Sequence, residues 1–141
     1  YYNGDFIALE KAHLNKGWKL VDNWHPDNKA GKRNGFVDVP MLEATRPGDR
    51  LTLDFRGKAI GIFCVSGPSA GILEYSVDGA PSKELDTFTE WSHNLYIPWV
   101  YMLETELKDT DHKLVLRISK KKNPASQGTE CQIRNFVVNG R

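Results

Sequence analysis

Apolar and polar residues alternate with a period of two along much of this chain, the pattern of half-buried β-strands. The clearest case is residues 50–55, where Leu51, Leu53 and Phe55 fall on one side and polar residues fall on the other. Such a segment buries one face and leaves the other in water. The sequence therefore predicts a strand here that packs its leucines and phenylalanine into a core.

Three strand-like runs follow one another in residues 50–79, and residues 50–55 are the first of them. Residues 59–65, AIGIFCV, are apolar on both sides, which is typical of a strand covered on both faces. Residues 72–77, ILEYSV, alternate again, with Leu73, Tyr75 and Val77 on one face. Glycines mark the turns between the runs, because glycine takes positive φ at little cost. We expect residues 50–79 to form a meander that makes one wall of an antiparallel sandwich.

Further short runs predict the other wall. They are residues 18–24, 36–39, 42–45, 83–91, 113–119 and 131–138, with Leu114, Leu116 and Ile118 on one side of the fifth run. Residues 100–107, VYMLETEL, fit either a strand or a helix, and residues 92–99 are expected to form a loop. About eight or nine short strands with little helix are typical of an all-β, antiparallel β-sandwich of jelly-roll type.

The first seventeen residues follow a different pattern. Phe6, Leu9 and either His13 or Leu14 would line one side of a short helix that ends at Gly17. We therefore divide the chain into a linker or packing segment, residues 1–17, and a β-sandwich domain, residues 18–141. Because the chain begins at Tyr1 and no leader precedes the folded part, we expect a processed protein or a piece of a longer one.

Charge and composition exclude several classes of protein. The 141 residues include 19 Lys and Arg against 18 Asp and Glu, so no net field attracts nucleic acid. No apolar run approaches the roughly 20 residues of a membrane-spanning helix. The two cysteines, Cys64 and Cys131, lie inside strand-like runs. This placement favours buried free thiols, with a bridge between the two strands as the minority alternative.

Catalytic motifs are incomplete in this sequence. Residues 46–51, RPGDRL, resemble the Gly-Asp-Ser-Leu block of SGNH/GDSL esterases, but Arg50 stands where the nucleophilic serine is required. Asp109 and His112 have the D-x-x-H spacing that the same enzymes use for their acid and base. Because the chain lacks a nucleophile that this pair could activate, a polar turn before a strand explains the spacing better. We predict no catalytic residue in this chain.

Aromatic residues beside polar ones are the better candidates for a binding site. Sugar rings have apolar C–H faces that stack on Trp or Tyr, while neighbouring polar groups take the hydroxyls. Packing at the ends of the sandwich would explain the same aromatics. The candidate ligand-binding residues are Trp24, His25, Trp91, His93, Tyr96 and Trp99. No metal ligands have a recognisable spacing, and structural calcium is left as an option around Asp22, Asp27 or Asp78.

Several segments, taken in order, resemble the accessory β-sandwich domain attached to bacterial SGNH/GDSL-type hydrolases, which are mainly carbohydrate esterases. These segments are PGDRLTLDFRGKAIGIF, GPSAGILEYSVDG, FTEWSHNLYIPW, LKDTDHKLVLRIS and CQIRNFVVNG. The resemblance covers residues 18–140 and implies a galactose-binding-like jelly roll.

This resemblance implies a non-catalytic, carbohydrate-binding-like module of a secreted or periplasmic esterase that acts on polysaccharides. The partner would be an SGNH-type catalytic domain in the same polypeptide, and the ligand a glycan. The alternative is a structural domain that packs on that catalytic domain and completes it without binding glycan. An independent hydrolase is disfavoured for want of a nucleophile and base.

Overall fold

The computed structural model describes residues 5–24, 31–32, 39–89 and 95–139. Within these ranges the chain forms twelve strands and a single 3-10 turn at Leu9–Lys11. The strands are β1 (Asp5–Ile7), β2 (His13–Lys16), β3 (Lys19–Trp24), β4 (Gly31–Lys32), β5 (Val39–Ala44), β6 (Arg50–Gly57), β7 (Ala59–Ser66), β8 (Ile72–Val77), β9 (Lys83–Asp86), β10 (Leu95–Glu104), β11 (Thr110–Ile118) and β12 (Cys131–Asn139).

The strands make two sheets that face each other. The larger sheet has seven strands in the order β3-β5-β12-β7-β10-β4, with β1 also paired to β12, and the smaller has five in the order β2-β6-β11-β8-β9. Between named strands, every pairing is antiparallel except the short one between β10 and β4. The predicted all-β, antiparallel sandwich is confirmed.

The core lies between the two sheets and follows the period-two pattern. On β6, Leu51 and Leu53 are fully buried, and Phe55 is nearly so. On β11, Leu114 stands opposite Leu53 and is likewise buried. Burying each such side chain stabilises the fold by about 1.5–3 kcal/mol. The predicted inward faces of residues 50–55, 72–77 and 113–119 are therefore confirmed.

The meander predicted for residues 50–79 is wrong. β6 and β8 flank β11 in the five-stranded sheet, whereas β7 lies in the seven-stranded sheet between β12 and β10. The connection crosses between sheets at Lys58, whose N–H donates to the carbonyl of Asn139 (2.6 Å) and whose carbonyl accepts from the N–H of Leu107 (2.9 Å). Distant segments therefore satisfy the backbone that a hairpin would have used.

β7 is nevertheless covered on both faces, as its composition indicated. Its inner side chains, such as Ile60 and Ile62, join the main core. On the outer face, Val65 packs with Trp24, Met41 and Tyr96 in a second, smaller cluster. A strand with apolar residues on both sides is stable only where both sides are covered, and the centre of the larger sheet meets that requirement.

Two local predictions need correction. The short helix near the N-terminus is wrong, since residues 5–16 form β1, one 3-10 turn and β2, and β1 and β2 pair in different sheets. The loop predicted for residues 92–99 is wrong from residue 95 onward, because β10 begins at Leu95 and runs through the ambiguous segment to Glu104. Pro98 lies beyond Leu95 and Tyr96, the two residues that β4 pairs with, and a proline is tolerated where no neighbouring strand needs its N–H. The domain boundary at residue 18 stays a prediction.

The two cysteines are free and buried, as the favoured interpretation predicted. Cys64 lies on β7, and Cys131 begins β12 beside it in the same sheet. Across the part of the chain that the structure describes, no helix is long and apolar enough to cross a membrane.

Candidate functional site

One edge of the sandwich, where β9 of the smaller sheet faces β10 of the larger, carries exposed aromatic and charged side chains. We call it the β9–β10 edge. Trp99 and Tyr101 lie on the same side of β10, opposite Cys64 and Ile62 of β7 in the register, so both face inward toward β9. Their ring centroids are 6.5 Å apart with the planes 37° from parallel. In the described residues β4 pairs with β10 only at Leu95 and Tyr96, and Trp99, beyond that pairing, remains 37% exposed.

Tyr101 supports this tryptophan from a half-buried position. Its hydroxyl donates a long hydrogen bond to the carbonyl of Thr87, just after β9 (3.5 Å). The Thr87 hydroxyl donates to the carbonyl of Gly71 (2.7 Å), and the Ser66 hydroxyl donates to the carbonyl of Thr87. These contacts tie the end of β9 to both sheets and hold Tyr101 in place beside Trp99.

A charged pair lies further along the same edge. Lys83 Nζ of β9 is 2.8 Å from Glu104 Oε2 of β10, and this contact joins the two sheets. Tyr75 stands opposite Lys83 in the register. Burial raises the pKa of the Tyr75 phenol, the Glu104 carboxylate raises it further, and Lys83 opposes the change. The hydrogen bond to Glu104 raises the pKa of Lys83, so the Lys83 amine is protonated at neutral pH.

The buried thiols and phenol behind this edge are not reactive groups. Burial raises the pKa of Cys64 to about 12 and raises the pKa values of Cys131 and Tyr101 as well. All three therefore stay protonated at neutral pH. A thiol or phenol is a good nucleophile only when ionised, so all three are poor nucleophiles at neutral pH.

The structure separates the predicted site residues. Trp24 and Tyr96 meet edge to face, with ring centroids 5.5 Å apart, but each is only 4% exposed and packs in the outer cluster of β7. Trp24 also donates to Glu43 Oε2 (3.2 Å). Trp99 faces the other side of the sheet. His25, Trp91 and His93 lie outside the described residues, so ligand binding by the six residues stays a prediction.

The partners of Trp99 differ in how visible they are in the sequence. Tyr101 had a local signal, because it is two residues from Trp99 and therefore shares its face of a strand. Lys83 and Glu104 had none, since they are 21 residues apart and meet only when the two sheets pack. Tyr75 was placed correctly on the inward face, but its position at the edge depends on strand order.

His112 contacts Asp78 and not Asp109, the residue that precedes it in the D-x-x-H spacing. Its Nδ1 lies 2.5 Å from Asp78 Oδ2, and its Nε2 lies 2.7 Å from the carbonyl oxygen of Lys108. Both oxygens accept hydrogen bonds, so this geometry favours the imidazolium form, in which both ring nitrogens carry protons. The carboxylate of Asp78 first, then the carbonyl of Lys108, raise the pKa of His112.

Asp78 is held in turn by its own contacts. Its pKa is lowered, first by the hydrogen bond with His112 and then by the N–H of Lys113, which donates to Oδ1 (2.8 Å). An open depression of about 570 Å³ borders this pair. Because Nε2 is bonded to a backbone carbonyl, the imidazole cannot take a proton from a nucleophile. The pair is a structural contact and not a catalytic dyad.

The carboxylates considered for calcium do not form a metal-binding group in the ranges described. There, no three His, Cys, Asp or Glu side chains come close enough to hold a metal ion. Asp22 and Asp78 are described and Asp27 is not. Structural calcium stays a prediction.

Comparison with solved structures shows the fold. A two-domain esterase active on acetylated mannans, co-crystallised with mannopentaose, matches at 15% identity with a TM-score of 0.60, covering 94% of this chain and 37% of that one. A family two carbohydrate esterase from Cellvibrio japonicus matches at 11% identity with a TM-score of 0.56, covering 99% of this chain and 34% of the esterase chain. An exo-β-1,3-galactanase from Phanerochaete chrysosporium, with galactose, matches at 11% identity with a TM-score of 0.58. That match covers 96% of this chain and 29% of the galactanase chain.

These similarities are structural only. No protein-family model and no curated protein matches the sequence. The chain spans about a third of the length of the solved structures just described. It has the fold of a jelly-roll-like domain that occurs in larger carbohydrate-active enzymes.

Proposed function

We propose that this chain is a non-catalytic, glycan-binding accessory domain of a larger hydrolase, with an SGNH-type esterase domain in the same polypeptide. The observation that carries the proposal is the exposed face of Trp99, supported by Tyr101, on the edge of a fold that recurs in carbohydrate-active enzymes. A protein that engages polysaccharide works outside the cytoplasm, so we expect it to be secreted or periplasmic.

The chemistry of the β9–β10 edge suits a sugar. Trp99 is the only tryptophan in the described residues with a substantial exposed surface, since Trp18 and Trp24 are each 4% exposed. A flat indole held by packing loses little conformational entropy when a sugar ring stacks on it. The thiols and phenol described behind this edge stay protonated, which agrees with binding without turnover.

Calorimetric titration of the 141-residue chain tests this. The probes are manno-oligosaccharides and β-1,3-galacto-oligosaccharides, chosen from the proteins that share the fold. Trp99→Ala should weaken binding at least ten-fold, or about 1.4 kcal/mol. The matched control is Val100→Thr, which changes the next residue of β10 on the opposite face. Absence of binding across a broad glycan panel, or unchanged affinity in Trp99→Ala, would refute the proposal.

A second function is favoured by the outer face of the seven-stranded sheet. Phe6 is 64% exposed and stacks on Phe63 at 6.3 Å, and Val100, opposite Phe63 in the register, is 48% exposed. Exposed apolar groups of this kind mark contact surfaces. Since Asp5 pairs with Val138, a domain joined to either end of the chain would begin beside this face. The alternative function is therefore a structural domain that packs on the catalytic domain.

The two functions predict opposite results for neighbouring residues. In the longer polypeptide, Phe6→Ser with Val100→Thr should lower the melting temperature of the catalytic domain and leave glycan retention unchanged if the structural function holds. Trp99→Ala should do the reverse if glycan binding holds.

A further inference from the structure

The β9–β10 edge extends beyond the tryptophan. Trp99 and Glu104 of β10 lie opposite Cys64 and Ile60 of β7, so they are about 13 Å apart along the strand at roughly 3.3 Å per residue. A bulge between Met102 and Glu104 brings Glu104 to the side of β10 that carries Trp99 and Tyr101, and Lys83 meets Glu104 from β9. Aromatic and polar groups therefore follow one another along a line that is longer than a disaccharide.

The far end of this line keeps hydrogen-bonding capacity. The Lys83 ammonium carries three donors and uses one on Glu104, and its side chain is 57% exposed. The Glu104 carboxylate is held by Lys83 at 2.8 Å, and its side chain is 24% exposed. Because the two charges offset each other, this end offers donors and acceptors without a net field. That property suits hydroxyl groups better than carboxylates.

The residues next to Lys83 and Glu104 in the chain, Ser82, Glu84 and Thr105, are exposed, so this end of the line lies at the surface. An extended polymer can therefore lie along the edge with one sugar at each end of the line. We propose that the β9–β10 edge binds a neutral, extended polysaccharide, with one sugar stacked on Trp99 and another hydrogen-bonded to Lys83 and Glu104. This inference rests on the glycan-binding function proposed above.

Affinity should therefore depend on oligosaccharide length. With manno-oligosaccharides of increasing length, we expect at least a ten-fold gain from disaccharide to hexasaccharide, followed by a plateau. Trp99→Ala should weaken the binding of every oligosaccharide. Glu104→Gln should weaken, by about three-fold or more, the binding of only those oligosaccharides that are long enough to reach residue 104.

The matched control is Glu84→Gln. Glu84 adjoins Lys83 on β9, faces the other way and pairs with Lys121 at 3.1 Å, so the same charge change there should leave affinity unaltered. The inference would be overturned by equal affinity for disaccharide and hexasaccharide. It would also be overturned if Glu84→Gln lost as much affinity as Glu104→Gln. Each of these results leaves glycan binding itself intact. Failure to bind any oligosaccharide would instead overturn the proposed function.

Discussion

The contact between His112 and Asp78 makes stability depend on pH. It links β11 to the turn after β8 and, through Lys108, to the loop before β11. The pKa of His112 is raised above its ordinary 6.5, so its contribution is complete below about pH 6.5 and is lost as the pH rises through the folded pKa. The pKa of Asp78 is lowered from 3.8, so its contribution is lost only when the pH falls below that value.

The magnitude follows from what deprotonation leaves behind. A neutral imidazole keeps one proton, so one nitrogen lone pair then faces an oxygen of Asp78 or Lys108. A hydrogen bond to a charged group contributes about 1.5–3 kcal/mol. The side chain of Asp78 is 47% exposed, and solvent screening brings the expected value down to about 1 kcal/mol. For a chain of this length that corresponds to roughly 3–5 °C in melting temperature.

Asp78→Asn is the variant that isolates this contact. Asp78 has φ of 56°, a left-handed conformation that asparagine tolerates well, and the amide oxygen can still accept from Lys113. We expect the substitution to lower the unfolding free energy at pH 5.5 by about 1 kcal/mol more than it does at pH 8.5. Urea denaturation at both values measures the difference, and the NMR titration of His112 measures its pKa directly.

The other charges that face His112 provide the control. Asp111 raises the pKa of His112 only weakly, is 87% exposed and pairs with Arg56 at 3.5 Å. Asp54 and Lys113 also border the depression. Asp111→Asn should therefore change stability far less than Asp78→Asn. Two results would refute a stabilising charged contact between His112 and Asp78. One is a His112 pKa at or below its ordinary value, and the other is an equal loss of unfolding free energy in Asp78→Asn at both pH values.

Two further predictions concern packing. Gly17→Ala should destabilise the fold by about 2 kcal/mol or more in urea denaturation, because φ is +77° and an added Cβ would lie 1.9 Å from Asp49 Oδ1. Gly79→Ala, at the same φ with nothing within 4 Å, should lose only about 1 kcal/mol, and equal losses would contradict the role of the Asp49 contact. Cys64 and Cys131 should react with a thiol reagent only after unfolding, since both are buried and protonated, and rapid labelling of the folded protein would be inconsistent with that burial.

Local pattern predicted most strands but not their neighbours. The alternation in residues 50–55 and 113–119 indicates which face of each strand is buried, and it is the same whichever strand is the neighbour in the sheet. It carries no information on whether β7 continues the sheet of β6 or crosses to the other one. That choice depends on Lys58, whose backbone partners are Asn139 and Leu107, 81 and 49 residues away by number.

The candidate site was predictable only where its residues are close in sequence. Trp99 was identified from its aromatic and polar neighbours, although it lies on a strand and not in a loop. Trp24 and Tyr96 look alike in sequence, and their burial follows from packing on the outer face of β7. The pairs Lys83–Glu104 and His112–Asp78 join residues 21 and 34 positions apart, and no local pattern indicates them.

The pairing of β1 with β12 has a consequence for biosynthesis. A ribosome adds roughly 5–20 residues per second, so β1 waits on the order of ten seconds for its partner to be made. During that interval the larger sheet cannot be completed, because β12 lies within it beside β7 and β5, and apolar strands such as β7 have no lasting cover. The nascent protein is then at its most vulnerable to aggregation, and we expect its yield in cells to respond to chaperone supply.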